Sequence, residues 1–195
     1  THRMSSAASD VYKRQHQDGH SHIIASTIPN CVSYDPTFAY ELAVIFRDGL
    51  KRMHENKENI FYYVTTLNEN YPHPEIPNEK GIEDSILKGM YKIKSINNNK
   101  KTKITLLGSG SILREMLEAS EILEKKHKIQ SKVVNMHTIK PIDKKVIIDS
   151  SKNKLHVCVE EHNIIGGLAS AISEVKVEEN ISVKQINLGV DDEYI

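Results

Sequence analysis

Lys103-Ile104-Thr105-Leu106-Leu107-Gly108-Ser109-Gly110-Ser111-Ile112-Leu113-Arg114-Glu115-Met116-Leu117 is the stretch on which the fold turns. Residues 103–107, with Ile104, Leu106 and Leu107 apolar, read as a strand, and 108–111 are small turn residues. Beyond them Ile112, Leu113, Met116, Leu117, Ile122 and Leu123 recur at helical spacing on one face. Further along, residues 132–136, 155–159 and 183–188 read as strands. Helices over 142–150 and from Gly166-Gly167 to about Val177 separate them. Strands alternating with helices predict an α/β fold with a parallel sheet covered by helices.

Upstream, Thr27-Ile28-Pro29-Asn30-Cys31-Val32-Ser33-Tyr34 reads as a strand or its approach. Asp35 can cap the helix that follows and Pro36 fits its first position. Phe38, Leu42, Ile45, Gly49 and Met53 then line one face, with Gly49 implying close packing. Ile60-Phe61-Tyr62-Tyr63-Val64-Thr65-Thr66 is aromatic and β-branched, as expected for a central strand. A short helix fits residues 81–90 and an extended segment 91–96, before the Asn97–Lys101 linker. Two units follow from this order, split at residues 97–102.

The densest chemistry lies in His16-Gln17-Asp18-Gly19-His20-Ser21-His22. Gly19 disfavours a regular helix, so these side chains are expected to spread along a turn and converge on a small substrate. A metal site on the His-x3-His-x-His nitrogens and a solvated polar turn are the competing readings. Ligands of open α/β sheets sit beyond the carboxyl ends of strands, which makes Leu67-Asn68-Glu69-Asn70-Tyr71 the second place to look. Its alternative is a loop in which Asn caps its own backbone. Gly108–Ser111 resembles a phosphate cradle but lacks the third glycine of a dinucleotide fingerprint and the Gly-Lys of a P-loop. Glu160-Glu161-His162 offers a carboxylate and imidazole pair, although a polar loop ahead of Gly166-Gly167 explains it as well.

Charge narrows the classes. The 195 residues carry 26 basic and 26 acidic side chains, so no positive excess points to nucleic acid or a membrane surface. Cys31 and Cys158 form no C-x-x-C pair, and a reduced, cytoplasmic protein is the default expectation. Residues 5–15 resemble an in-frame translation of a transposase-type sequencing adapter. Residues 1–15 are therefore set aside as a scar, and the natural chain is expected to begin well upstream of His16.

Together, Gln17–His22, Thr27–Cys31, Ser33–Pro36, Tyr62–Tyr71 and Leu106–Arg114 closely resemble the homodimeric pyruvate dehydrogenase first component, a thiamine-diphosphate-dependent family. The resemblance runs to about residue 128. Beyond it, Asn135–Asp143 and Val159–Ala171 look more like the C-terminal domain of transketolase-type proteins. Either the chain is a divergent first component or two homologous genes have been joined. By this resemblance residues 16–96 are the end of a pyrimidine-binding domain, and 103–195 a transketolase-type C-terminal domain with a mostly parallel sheet.

The resemblance implies decarboxylation of pyruvate and reductive acetylation of a lipoyl group, with thiamine diphosphate and Mg²⁺ held mainly by sequence upstream. Implied partners are a second copy of the chain in a homodimer and the lipoyl domain of dihydrolipoyl acetyltransferase. The family pattern Asp-Gly-x-x-His falls on Asp18, Gly19 and His22. His22 is then the substrate-facing imidazole, His20 its helper and Asp18 a third catalytic group, with His16, Asn68, Glu69 and Asn70 toward substrate and no metal on the histidines. Where transketolases resemble Ser-Arg-Gln and grip a sugar phosphate, this chain has Asn68-Glu69-Asn70. A carboxylate there opposes phosphate and suits pyruvate. A transketolase or deoxyxylulose-phosphate synthase-type transferase and a non-catalytic dimerisation module are the other readings. The segment alone is expected to be inactive.

Overall fold

The computed structural model describes residues 20–67, 70–94 and 104–191. A short helix α1 (Ser21–Ser26) leads to strand β1 (Cys31–Tyr34) and helix α2 (Ala39–Leu50), which runs on into a π turn over Lys51–Glu55. Strand β2 (Phe61–Val64), helix α3 (Ile82–Leu87) and strand β3 (Met90–Lys94) follow. The second unit comprises β4 (Ile104–Gly108), α4 (Leu113–His127), β5 (Ser131–Met136), α5 (Lys144–Ser150), β6 (Leu155–Asn163), α6 (Leu168–Glu178) and β7 (Lys184–Val190).

Two sheets result. β1 and β2 pair in parallel, and a five-stranded sheet has the order β3-β5-β4-β6-β7. All pairings in the larger sheet are parallel except β3 with β5. The alternation of elements accounts for this sheet: Leu107, Val134, Met136 and Cys158 pack beneath α5 and α6. On the opposite face Leu106 and Val133 meet Leu113 and Met116 of α4. Burial on both faces is why β4 and β5 carry consecutive apolar residues, Leu106-Leu107 and Val133-Val134.

Three local readings differ from the structure. The chain is helical from Ser21, with His20 at the N-cap, so His20 and His22 sit at the start of a helix rather than along an open turn. Helix α2 has Phe38, not Asp35, at its N-cap, and Glu41 reaches back to accept from the amides of Thr37 and Phe38 at 2.7 and 3.0 Å. Residues 90–94, expected to close the first unit, form the antiparallel edge of the second sheet. Met90 belongs to that sheet's core, which physically draws the strand there. Gly49 does pack closely, since a Cβ on it would stand 3.4 Å from the Tyr62 ring.

The two units are joined by buried polar bonds as well as apolar ones. Glu41 of α2 is fully buried and accepts from Asn135 Nδ2 of β5 at 2.6 Å and from the Tyr91 hydroxyl of β3. Ser33 N donates to Lys140 O at 3.1 Å, and Asp35 N to His137 O at 2.7 Å. The Lys140 ammonium donates to the Ser26 and Ile28 carbonyls just past α1, where a cation is favoured at a helix C-terminus. The residue range 33–41 is therefore held from the second unit.

The turn into β3 yields a sharp test. Gly89 has φ of +87°, and a Cβ on it would collide with the Thr138 methyl. Gly89→Ala is expected to destabilise the protein by about 2 kcal/mol or more, combining left-handed strain with overpacking. A thermal melt unchanged from wild type would show that Thr138 moves aside freely.

Candidate active site

The carboxyl ends of β1 and β2 meet the carboxyl ends of β4 and β6, and the chemistry-bearing side chains gather at this seam. Its core is a chain of three residues. His22 Nε2 lies 2.9 Å from Thr65 Oγ1, and Thr65 Oγ1 donates to Asp35 Oδ1 at 2.7 Å. A hydroxyl has one proton, and here it goes to the carboxylate. Thr65 must then accept from His22, which places a proton on Nε2 and leaves Nδ1 for a ligand. Neutral His22 offers an acceptor at Nδ1; the imidazolium offers a donor. A carboxylate at the far end of such a chain orients the imidazole and fixes its tautomer, as the third member of a catalytic triad does. The Tyr63 ring meets that of His22 edge-on at 5.5 Å and restricts its swing.

Asp35 is fixed from the second unit. Gly110, with φ of +64°, presses its backbone against the Asp35 carboxylate, and a Cβ there would collide with it. Thr37 Oγ1 donates to Gly110 O at 2.8 Å. The turn that resembled a phosphate cradle therefore seats a carboxylate of its own chain. Ser111 donates its hydroxyl to Glu161.

On the other side of the seam, Glu160, Glu161 and His162 lie within β6 rather than in a loop. Glu160 accepts from Leu168 N at 2.7 Å and Ala169 N at 3.0 Å, satisfying two amides at the start of α6. Burial pushes its carboxyl above the ordinary range, opposed by those two amides and by His162. The His162 ring stands 6.3 Å from that of His20, centre to centre.

Of the residues singled out from sequence, His22 is half-buried in the relay and His20 is exposed at the seam. Asn70 is exposed. His16, Asp18, Asn68 and Glu69 lie outside the described residues. Sequence reasoning missed Asp35, which was assigned to helix capping, and Thr65, which was counted only as strand. Thr65 stands just beyond the last residue of β2, the position at which strand-end rules place ligand contacts.

Comparison with known proteins identifies the family. Residues 6–74 match the family model for the pyruvate dehydrogenase E1 component middle domain, and residues 94–195 that for the transketolase C-terminal domain. The chain is 56% identical over 123 residues to the pyruvate dehydrogenase E1 component of Escherichia coli K12, covering 63% of this chain and 14% of that protein. The proteins of that name from Cupriavidus necator and Pseudomonas aeruginosa are 51% identical over 118 residues and 46% over 142. These alignments cover 60% and 73% of this chain, and 13% and 16% of the relatives. The chain thus spans about one seventh of the length of the curated relatives it matches. A solved structure titled split gene transketolase, inactive beta4 tetramer, superposes with a TM-score of 0.66 at 23% identity, covering 89% of this chain and 52% of that one. That likeness supports the α/β fold. With more than half of its residues matched by one model, the chain belongs to the transketolase C-terminal domain family, preceded by a segment matching the middle domain of the pyruvate dehydrogenase E1 component.

Proposed function

We propose that this chain is part of a thiamine-diphosphate-dependent pyruvate dehydrogenase first component, which decarboxylates pyruvate and reductively acetylates a lipoyl group. The observation that carries this reading is the His22–Thr65–Asp35 relay at the strand ends, in a chain 56% identical over 123 residues to a relative of that name. Among the described residues no three carboxylate, imidazole or thiolate groups gather where a metal ion would sit. In this reading the diphosphate and its Mg²⁺ are held mainly by sequence outside this chain. The residues present fit the reacting end, where hydrogen-bond donors and proton carriers are needed. When bound, the cofactor supplies the electron sink for decarboxylation.

The protein's own work follows from the relay. His22, protonated at Nδ1, donates to a substrate oxygen as negative charge develops on it, an interaction that strengthens toward the transition state. Thr65 and Asp35 keep the ring from rotating away. His20, exposed beside it, exchanges a proton during transfer to the lipoyl group. Pyruvate carries no phosphate, which agrees with a glutamate at position 69 of the sequence. The homodimer, the lipoyl domain of the acetyltransferase and a cytoplasmic setting belong to the same proposal.

The test uses the full-length protein with thiamine diphosphate and Mg²⁺. Carboxyl-labelled pyruvate should release labelled carbon dioxide with an artificial electron acceptor, and ketose and aldose phosphates should give no turnover. Carbon transfer between sugar phosphates without pyruvate decarboxylation would overturn the assignment, and inertness toward both would favour a non-catalytic module.

A further inference from the structure

We propose that His162 is a positioning residue for His20, acting as the hydrogen-bond acceptor that makes His20 a better proton carrier. His162 lies at the end of β6, and only 9% of its surface is exposed. Its Nδ1 is 3.1 Å from the Asn163 carbonyl oxygen, which can only accept, so Nδ1 carries the proton. Nε2 is then a bare acceptor. Among the described residues it has no hydrogen-bond partner, although it is fully buried. A buried acceptor without a donor is costly, and natural structures rarely leave one without a role.

The ring that faces His162 is that of His20, at 6.3 Å between centres and tilted by 56°. The hydrogen bond forms when the rings close by at least about 1 Å with a His20 nitrogen turned toward His162 Nε2. His20 is exposed at the N-cap of α1. The packing keeps the pair in register, because Ile23 of α1 abuts Gly166 in the loop after β6. The charged neighbours along β6 are Glu160, whose Oε2 is 3.9 Å from His162 Nδ1, and Glu161, bonded to Ser111. With one His20 nitrogen donating to His162 Nε2, electron density rises on the other, which becomes the stronger nucleophile and base. The pair spans the two units, so the second unit contributes directly to the behaviour of the first. This goes beyond the function proposed above and does not rest on it, since the readout is imidazole reactivity rather than turnover.

The test is the rate at which diethyl pyrocarbonate modifies His20 in the full-length protein, located by tandem mass spectrometry with exposed His54 as internal reference. His162→Leu should slow modification of His20 about threefold or more relative to His54. A merely structural role predicts the opposite sign, because loosened packing exposes His20 further. His162→Gln, which keeps an acceptor, should restore at least half of the wild-type rate. Unchanged or faster modification in His162→Leu, or failure of His162→Gln to restore the rate, would overturn the proposal. Circular dichroism checks folding; if His162→Leu does not fold, His162→Asn, whose shorter amide falls short of His20, takes its place with the same expected slowing.

Discussion

His22→Ala in the full-length enzyme is expected to lower turnover with pyruvate on the order of 10²-fold, with far less effect on thiamine diphosphate binding. The asymmetry comes from timing. The Nδ1 donor meets an oxygen that becomes fully negative only as the reaction proceeds, so its loss raises the barrier more than it weakens the ground state. Thr65→Val probes the same relay from behind. It preserves shape but leaves the His22 Nε2 proton and the Asp35 carboxylate without their common partner. Loss of such an orienting neighbour costs roughly 10-fold to 100-fold. Steady-state kinetics together with calorimetric titration of the cofactor separates the two quantities. Wild-type turnover in His22→Ala would return the histidine-rich segment to the protein surface.

Glu41→Ala should be the most damaging single truncation for stability. The carboxylate is fully buried and satisfies two backbone amides, the Asn135 amide and the Tyr91 hydroxyl. Removing it takes the acceptor from four donors at once, leaving the Thr37 and Phe38 amides stranded in a dry interior. Breaking a buried charged network in this way typically costs about 3–5 kcal/mol. Exposed Glu121, paired with Lys125 at 2.9 Å one helical turn away, provides the contrast. Its replacement should change stability by less than about 0.5 kcal/mol. Urea denaturation of the two variants side by side measures the difference, and equal midpoints would mean that the Glu41 network is not formed in solution.

The elements legible in the sequence were those whose signal is local. The α4 stripe from Leu113 to Leu123 and the paired apolar residues Leu106-Leu107 of β4 and Val133-Val134 of β5 follow from period and composition alone. What escaped depended on partners far away in the chain. Asp35 has the chemistry of a helix cap, yet Thr65 and Gly110, 30 and 75 positions away, draw it into the site, and Glu41 takes over the capping. Glu160 looks like a loop residue, but it satisfies the α6 amides from eight and nine positions upstream, out of reach of any capping-box pattern. The histidines were legible as chemistry, while their division of labour was not. A single sequence could not reveal that one would lean on Thr65 and the other face His162.

The placement of β3 bears on how such proteins are inherited. The transketolase C-terminal match begins at residue 94, yet the strand that seals one margin of that sheet starts at Met90 and pairs with β5 through Met136. A genetic crossover within 95–103 would leave one descendant without its edge strand, baring the backbone of β5 to other chains. The other would carry an orphan strand with Met90 deprived of its core. The heritable module therefore begins four residues earlier than sequence similarity marks it, and lineages that exchange this half intact must recombine on the far side of Gly89.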